Sequence, residues 1–124
     1  MTGTTLLLRQ IHPSFIKLGR VTSQAFRPTP KDEQKLSVYN GDLIEPAASW
    51  QHYRARRLDS VGVMAVTVEE CEKEELVARS SPEHFWEHAE IDFLNFNANQ
   101  CEKKGKKLKS AAEARGWMHQ ADHA

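Results

Sequence analysis

Long apolar runs are missing from this chain. The longest early one, Leu6-Leu7-Leu8, falls far short of the roughly 20 residues that a membrane helix needs and of the roughly 7–15 in the core of a secretory leader. No membrane partner is expected, and the chain reads as cytoplasmic. Cysteine is nearly absent too. Cys71 and Cys101 are the only two and have no CxxC neighbour, which excludes a disulfide framework and a zinc knuckle and leaves two reduced, partly buried thiols. An excess of charge is also lacking: 17 Lys and Arg balance 17 Asp and Glu, so the uniform basicity of a general nucleic-acid binder is excluded. There is no Walker loop, no GxGxxG and no nucleophile elbow. No cofactor is expected, and no set of residues spells out a reaction.

What is present suits a small folded domain. The chain has 124 residues, 40% of them hydrophobic and 27% charged, which is close to the average for globular proteins and sufficient for one core. Residues 1–124 read as a single domain, with 119–124 expected to fray.

The zero net charge is a sum of opposed blocks. Residues 1–40 carry +4, residues 41–66 balance, residues 67–100 carry −7 and residues 101–124 carry +3. Such segregation favours electrostatic recognition of a partner.

Residues 4–11 have the aliphatic content of a buried strand, and Pro13 then opens a short helix with Phe15, Ile16 and Leu18 on one face, closed by Gly19. Residues 20–35 show no period and carry Pro28 and Pro30, a long loop for so small a domain, with Phe26 as its anchor. Residues 35–39 alternate as a strand and stop at Asn40-Gly41. Pro46 starts a helix with Trp50 and Tyr53 on one face, and residues 60–68 read as the central strand, covered on both sides. Thr67 and Glu70 form a capping box for a helix through the acidic run 69–75. Ser81-Pro82 opens a shorter helix, residues 89–93 alternate as a strand, and Asn99 caps a final helix that Gly116 ends. Trp50, Tyr53, Trp86 and Trp117 are read as core or sub-surface anchors. The sum is an α+β fold, with a mixed α/β arrangement as the variant: about four strands with helices packed on the sheet.

Three surfaces carry candidate chemistry. Arg9, His12, Arg20, Ser23, Arg27 and Lys31 cluster at the end of the first strand and in the long loop, where guanidinium groups and hydroxyls suit a phosphate or carboxylate. If the molecule is an enzyme, His12 is the general acid or base. Lys103, Lys104, Lys106, Lys107 and Lys109 line the exposed arc of the last helix and suit nucleic-acid phosphates. His84, Glu87 and His88 match H-x-x-E-H, which on a helix would set two imidazoles on one face for a metal. The 36 residues beyond this motif leave little chain for a third ligand and a cleft, so two surface histidines, with Phe85 and Trp86 packed inward, is the preferred account and no metal is expected.

These features favour a non-enzymatic accessory or regulatory domain that binds a protein partner through its charge-segregated surfaces. A small domain that binds or transforms an anionic ligand through Arg9, His12, Arg20 and Arg27 comes second. Nucleic-acid binding through the lysine-rich helix ranks third.

Overall fold

Leu6–Gln10 is a strand, β1, whose side chains find apolar cover on both sides of the sheet. The structure, a computed structural model, describes residues 1–29 and 33–121. Further along the chain come a two-stranded ribbon, β2 (Ile16–Lys17) and β3 (Arg20–Val21), and then β4 (Lys35–Asn40) and helix α1 (Pro46–Ala55). Strand β5 (Gly62–Thr67), α2 (Val68–Lys73), β6 (Val77–Ser80), β7 (His88–Asp92), α3 (Ala98–Arg115) and β8 (His119–Gln120) complete the order. Short 3-10 turns at Pro13–Phe15 and Ser23–Phe26 flank the ribbon.

Among the described residues six strands form one sheet in the order β6-β7-β4-β1-β5-β8, and every neighbouring pair is antiparallel. This is an α+β fold whose sheet is wider than the four strands expected. Sheet centre also differs from expectation: β1 and β4 occupy it, while β5 lies one strand from the edge. The reason is β8. Of the residues expected to fray, His119 and Gln120 instead pair with Val63 and Gly62, and residues 122–124 lie outside the described residues. No helix among the described residues is long and apolar enough to cross a membrane.

Alternation in the strands splits the core into two layers. Leu7, Leu36, Val38, Met64, Val66 and Ile91 face α3 and α2, meeting Leu108, Ala112 and Cys71 there. Leu8, Tyr39, Val63 and Ala65 face α1, with Trp50 and Tyr53 against them. A polar network ties α1 down: Gln10 Nε2 donates to Ser49 Oγ at 3.1 Å, Ser60 Oγ to Gln10 Oε1 at 2.9 Å and Trp50 Nε1 to the Ser60 carbonyl at 3.0 Å. Among the described residues no buried side-chain polar atom lacks a partner, as a stable core requires.

The helix boundaries follow local chemistry. Thr67 and Glu70 form the expected capping box of α2. Burial works against Glu70 ionising, yet the Arg115 guanidinium and the Thr67 N–H hold its carboxyl below the usual range. In α3 the cap is Asn97, not Asn99, and Gln100 supplies the reciprocal bond. Gly116 ends the helix at φ 90°.

Two expected helices are not formed. Pro13 opens only a single 3-10 turn, capped by His12 Nδ1 accepting from Ser14 N at 3.0 Å. One turn of apolar residues gives too little burial to offset the cost of helix nucleation, and Ile16 goes into the ribbon. Residues 81–87 make turns. Trp86, expected inside, is 69% exposed, while Phe85 packs against the second core layer.

Candidate functional site

The ribbon between residues 16 and 21 decides where the long loop lies. Ile16 pairs with Val21 and Lys17 with Arg20, so the turn is Leu18-Gly19, with φ of 53° and 78°. Positive φ at both central residues is the hairpin geometry whose twist matches the flanking strands, and it suits Asn-Gly or Gly-Gly. Glycine adopts it freely. Leucine does not: the left-handed region costs a residue with a Cβ roughly 1–2 kcal/mol. Leu18 gains no packing in return, since it is fully exposed, at 103% of its reference area. The ribbon's root is fixed by Val21 in the core and by Thr22, whose N–H and hydroxyl both donate to the Phe15 carbonyl at 2.8 and 2.9 Å.

The following 3-10 turn, Ser23–Phe26, is pressed onto α3. Phe26 and Ala25 are fully buried, and burial of the Phe26 ring contributes about 1.5–3 kcal/mol. Phe26 thus anchors the loop as expected. The close approach depends on Gly105 in the middle of the lysine run: a Cβ there would stand 3.1 Å from Arg27 Cβ and 3.3 Å from the Phe26 carbonyl oxygen. Arg9 holds the turn from the sheet side, its Nε donating to the Ala25 carbonyl at 2.7 Å and its Nη1 to the Ser37 carbonyl at 3.0 Å.

Between the ribbon and α3 runs a groove of about 570 Å³ lined by Lys17, Arg20, Lys106 and Lys109, with the hydroxyl residues Thr22 and Ser23 among its walls. Glu113 organises two of these cations. Arg20 Nη2 lies 3.2 Å from both of its oxygens and Lys109 Nζ lies 2.9 Å from one. The Lys109 ammonium first, and then Arg20, hold the Glu113 carboxyl below its usual range. One carboxylate shared by two cations leaves the cluster positive. Lys106 pairs with Glu102 at 3.5 Å, and Arg27 lies 3.9 Å from the same carboxylate. Exposed pairs like these bind weakly and exchange readily for an incoming anion.

Two halves of the sequence reading therefore meet in space. Arg20 and Ser23, from the loop, share the groove with Lys106 and Lys109 from the last helix. Lys17 and Leu18 belong to it as well, and sequence reasoning missed them by reading residues 13–18 as a helix face. The signal available was a Leu-Gly pair between two cations, a hairpin turn in the wrong residue type.

The other predicted residues lie elsewhere. Arg9, Arg20 and Arg27 line different concavities, and His12 caps the first 3-10 turn with its ring edge against Phe15. The four side chains are not gathered around one anion. Lys31 falls outside the described residues. Lys104 is drawn away from the groove, donating to the Glu74 carbonyl and sitting 4.1 Å from the centre of the Phe96 ring. The His84 and His88 rings do approach, with centroids 4.8 Å apart. They sit on turns and at the start of β7, however, not on a helix, and among the described residues no group of three His, Cys, Asp or Glu could hold a metal ion. His88, taken for a surface residue, is buried. Both cysteines are free and buried, and burial pushes the Cys71 thiol up to about 12, which removes it as a nucleophile.

Comparison of the chain with protein-family models, with curated proteins and with solved structures gave no match.

Proposed function

We propose that the protein is a non-enzymatic accessory or regulatory module that captures an acidic protein surface in the groove between the β2–β3 ribbon and α3. The observation that carries this reading is Leu18, a leucine held at φ 53° and fully exposed at the ribbon tip. A residue that breaks a local conformational rule with no packing gain points to a role outside the fold. Lys17 and Arg20 flank it, and Arg20 has 71% of its side chain in solvent. A partner that seats an apolar pocket over Leu18 and lays carboxylates along the groove would bury the one and pair the other.

The groove cations would steer the encounter, and burial around Leu18 would set the lifetime of the complex. A protein partner is favoured over nucleic acid because, among the described residues, no aromatic side chain lines the groove to stack a base.

The test is quantitative affinity capture by the tagged chain, comparing the unaltered protein with Leu18→Asn and with the double variant Lys17→Ser/Arg20→Ser. A stoichiometric partner with an acidic surface is expected, released as salt rises and reduced roughly tenfold by either variant. Equal capture by all three proteins, or no stoichiometric partner, overturns the reading. Retention on nucleic acid that ignores Leu18 but is lost on neutralising Lys106 and Lys109 would put nucleic acid in the groove instead.

A further inference from the structure

Strands β1 and β4 pair only at Leu7–Asn40 and Leu8–Tyr39 and then part, although β1 continues alongside β5 to Gln10. Arg9 bridges the gap from the side of the 3-10 turns, through its bond to the Ser37 carbonyl. On the opposite face, beside α1, the parting leaves a cleft of about 170 Å³ walled by Tyr39, Tyr53, Phe85 and His88, with Arg56 at its mouth. The walls are rings at contact distance: the Tyr39 and Phe85 centroids are 5.1 Å apart and those of Phe85 and His88 5.0 Å.

We infer that this cleft is a binding site for a single-ring aromatic anion, with the ring among Tyr39, Tyr53 and Phe85 and the carboxylate or phosphate on the Arg56 guanidinium. The site is separate from the ribbon groove and does not depend on it. Size sets the ring count, because a cavity of about 150 Å³ takes one benzene. Charge sets the sign. Among the described residues no carboxylate lines the cleft and the exposed Arg56 has no ion-pair partner. Its guanidinium lies over the Phe85 ring, 5.1 Å from the centroid, beside the ring site, where it can pair with an oxyanion.

The polar wall is fixed as well. Tyr39 Oη contacts His52 Nδ1 at 2.7 Å. Burial pushes the Tyr39 phenol up to about 12, against the pull of Arg56, so the wall adds no negative charge at neutral pH.

Titration of the full chain with sodium benzoate, phenyl phosphate, benzamide and cyclohexanecarboxylate, followed by amide NMR shifts at low ionic strength, tests the site. Benzoate or phenyl phosphate is expected to give saturable shifts at Tyr39, Tyr53, Phe85 and His88, with a dissociation constant of about a millimolar or tighter. The neutral amide and the non-aromatic acid should each bind roughly tenfold more weakly. The order of benzoate and phenyl phosphate identifies the anion. Arg56→Met, an exposed change that leaves the core intact, should reduce benzoate to the level of benzamide with an unchanged melting temperature. Absence of saturable shifts, equal binding of all four probes, or shifts confined to Lys17, Arg20 and Lys106 would overturn the inference.

Discussion

Arg9 and Ala25 are joined by a 2.7 Å hydrogen bond from the guanidinium Nε to the carbonyl oxygen, and this bond fixes the loop to the centre of the sheet. Ala25 is fully buried, so its carbonyl has no ready access to water. Replacing Arg9 by methionine keeps the stem but removes this donor and the one to Ser37. With charge-assisted bonds contributing about 1.5–3 kcal/mol each and a buried acceptor left unpaired, the loss should be about 3 kcal/mol in denaturant unfolding. Hydrogen exchange should quicken at residues 22–27 while α1 keeps its protection. An unchanged midpoint would mean that Phe26 alone holds the loop.

Leu18 makes a prediction in which stability and function move in opposite directions. Asparagine tolerates the left-handed region better than leucine, so Leu18→Asn should stabilise the protein by about 0.5–1 kcal/mol. Partner capture should fall at the same time. A variant that is more stable and equally active would show that the exposed leucine serves no contact.

How much of this was legible in the sequence follows from how local each determinant is. The Thr67–Glu70 box, the helix start at Pro46 and the stop at Gly116 depend on neighbours within four residues, and the sequence alone located them. Strands β2, β3, β6 and β8 have two to four residues each. No periodicity can show in so short a segment, and their conformation is set by the backbone they pair with. The groove was half legible. Arg20 and the helix lysines stood out as cations, but the carboxylate that joins Arg20 to Lys109 lies 93 positions from Arg20. Trp86 was misread because an aromatic residue implies burial only on average.

Gly105 tests the close contact between the loop and α3. In the interior of an exposed helix, exchanging glycine for alanine stabilises by about 1 kcal/mol. Here the new Cβ would meet Arg27 Cβ at 3.1 Å and the carbonyl oxygens of Phe26 and Ser23 at 3.3 and 3.4 Å. Carbonyls of a packed turn cannot rotate aside. Gly105→Ala should therefore lower stability by about 1 kcal/mol, measured by urea unfolding. A gain would mean that the turn moves freely on the helix.

Stability should fall toward acid in two steps of the same sign. His88 is buried, and burial disfavours its imidazolium; the bond from Nδ1 to the Ser81 carbonyl opposes this in part, the neighbouring His84 adds to it, and Glu83 and Glu90 oppose it. Its folded pKa lies below its ordinary value. As pH falls through about 6.5 the unfolded chain takes up the proton first, and the contribution of neutral His88 drains away from there downward. The second step belongs to carboxylates. Burial works against Asp92 ionising, but the Leu94 N–H and the Arg79 guanidinium, 2.8 Å away, hold its carboxyl below the usual range. Glu70 and Glu113 are held down similarly. A depressed carboxyl pKa gives stability that is whole above about pH 5 and is lost as pH falls through the folded values. Urea unfolding between about pH 8 and 3 should show a plateau, a shallow slope starting near pH 6.5 and a steeper one below about 4.5. His88→Asn keeps a donor for the Ser81 carbonyl but has no proton to gain, so the upper slope should vanish and the lower one remain. Persistence of the upper slope in that variant would place its origin in another residue.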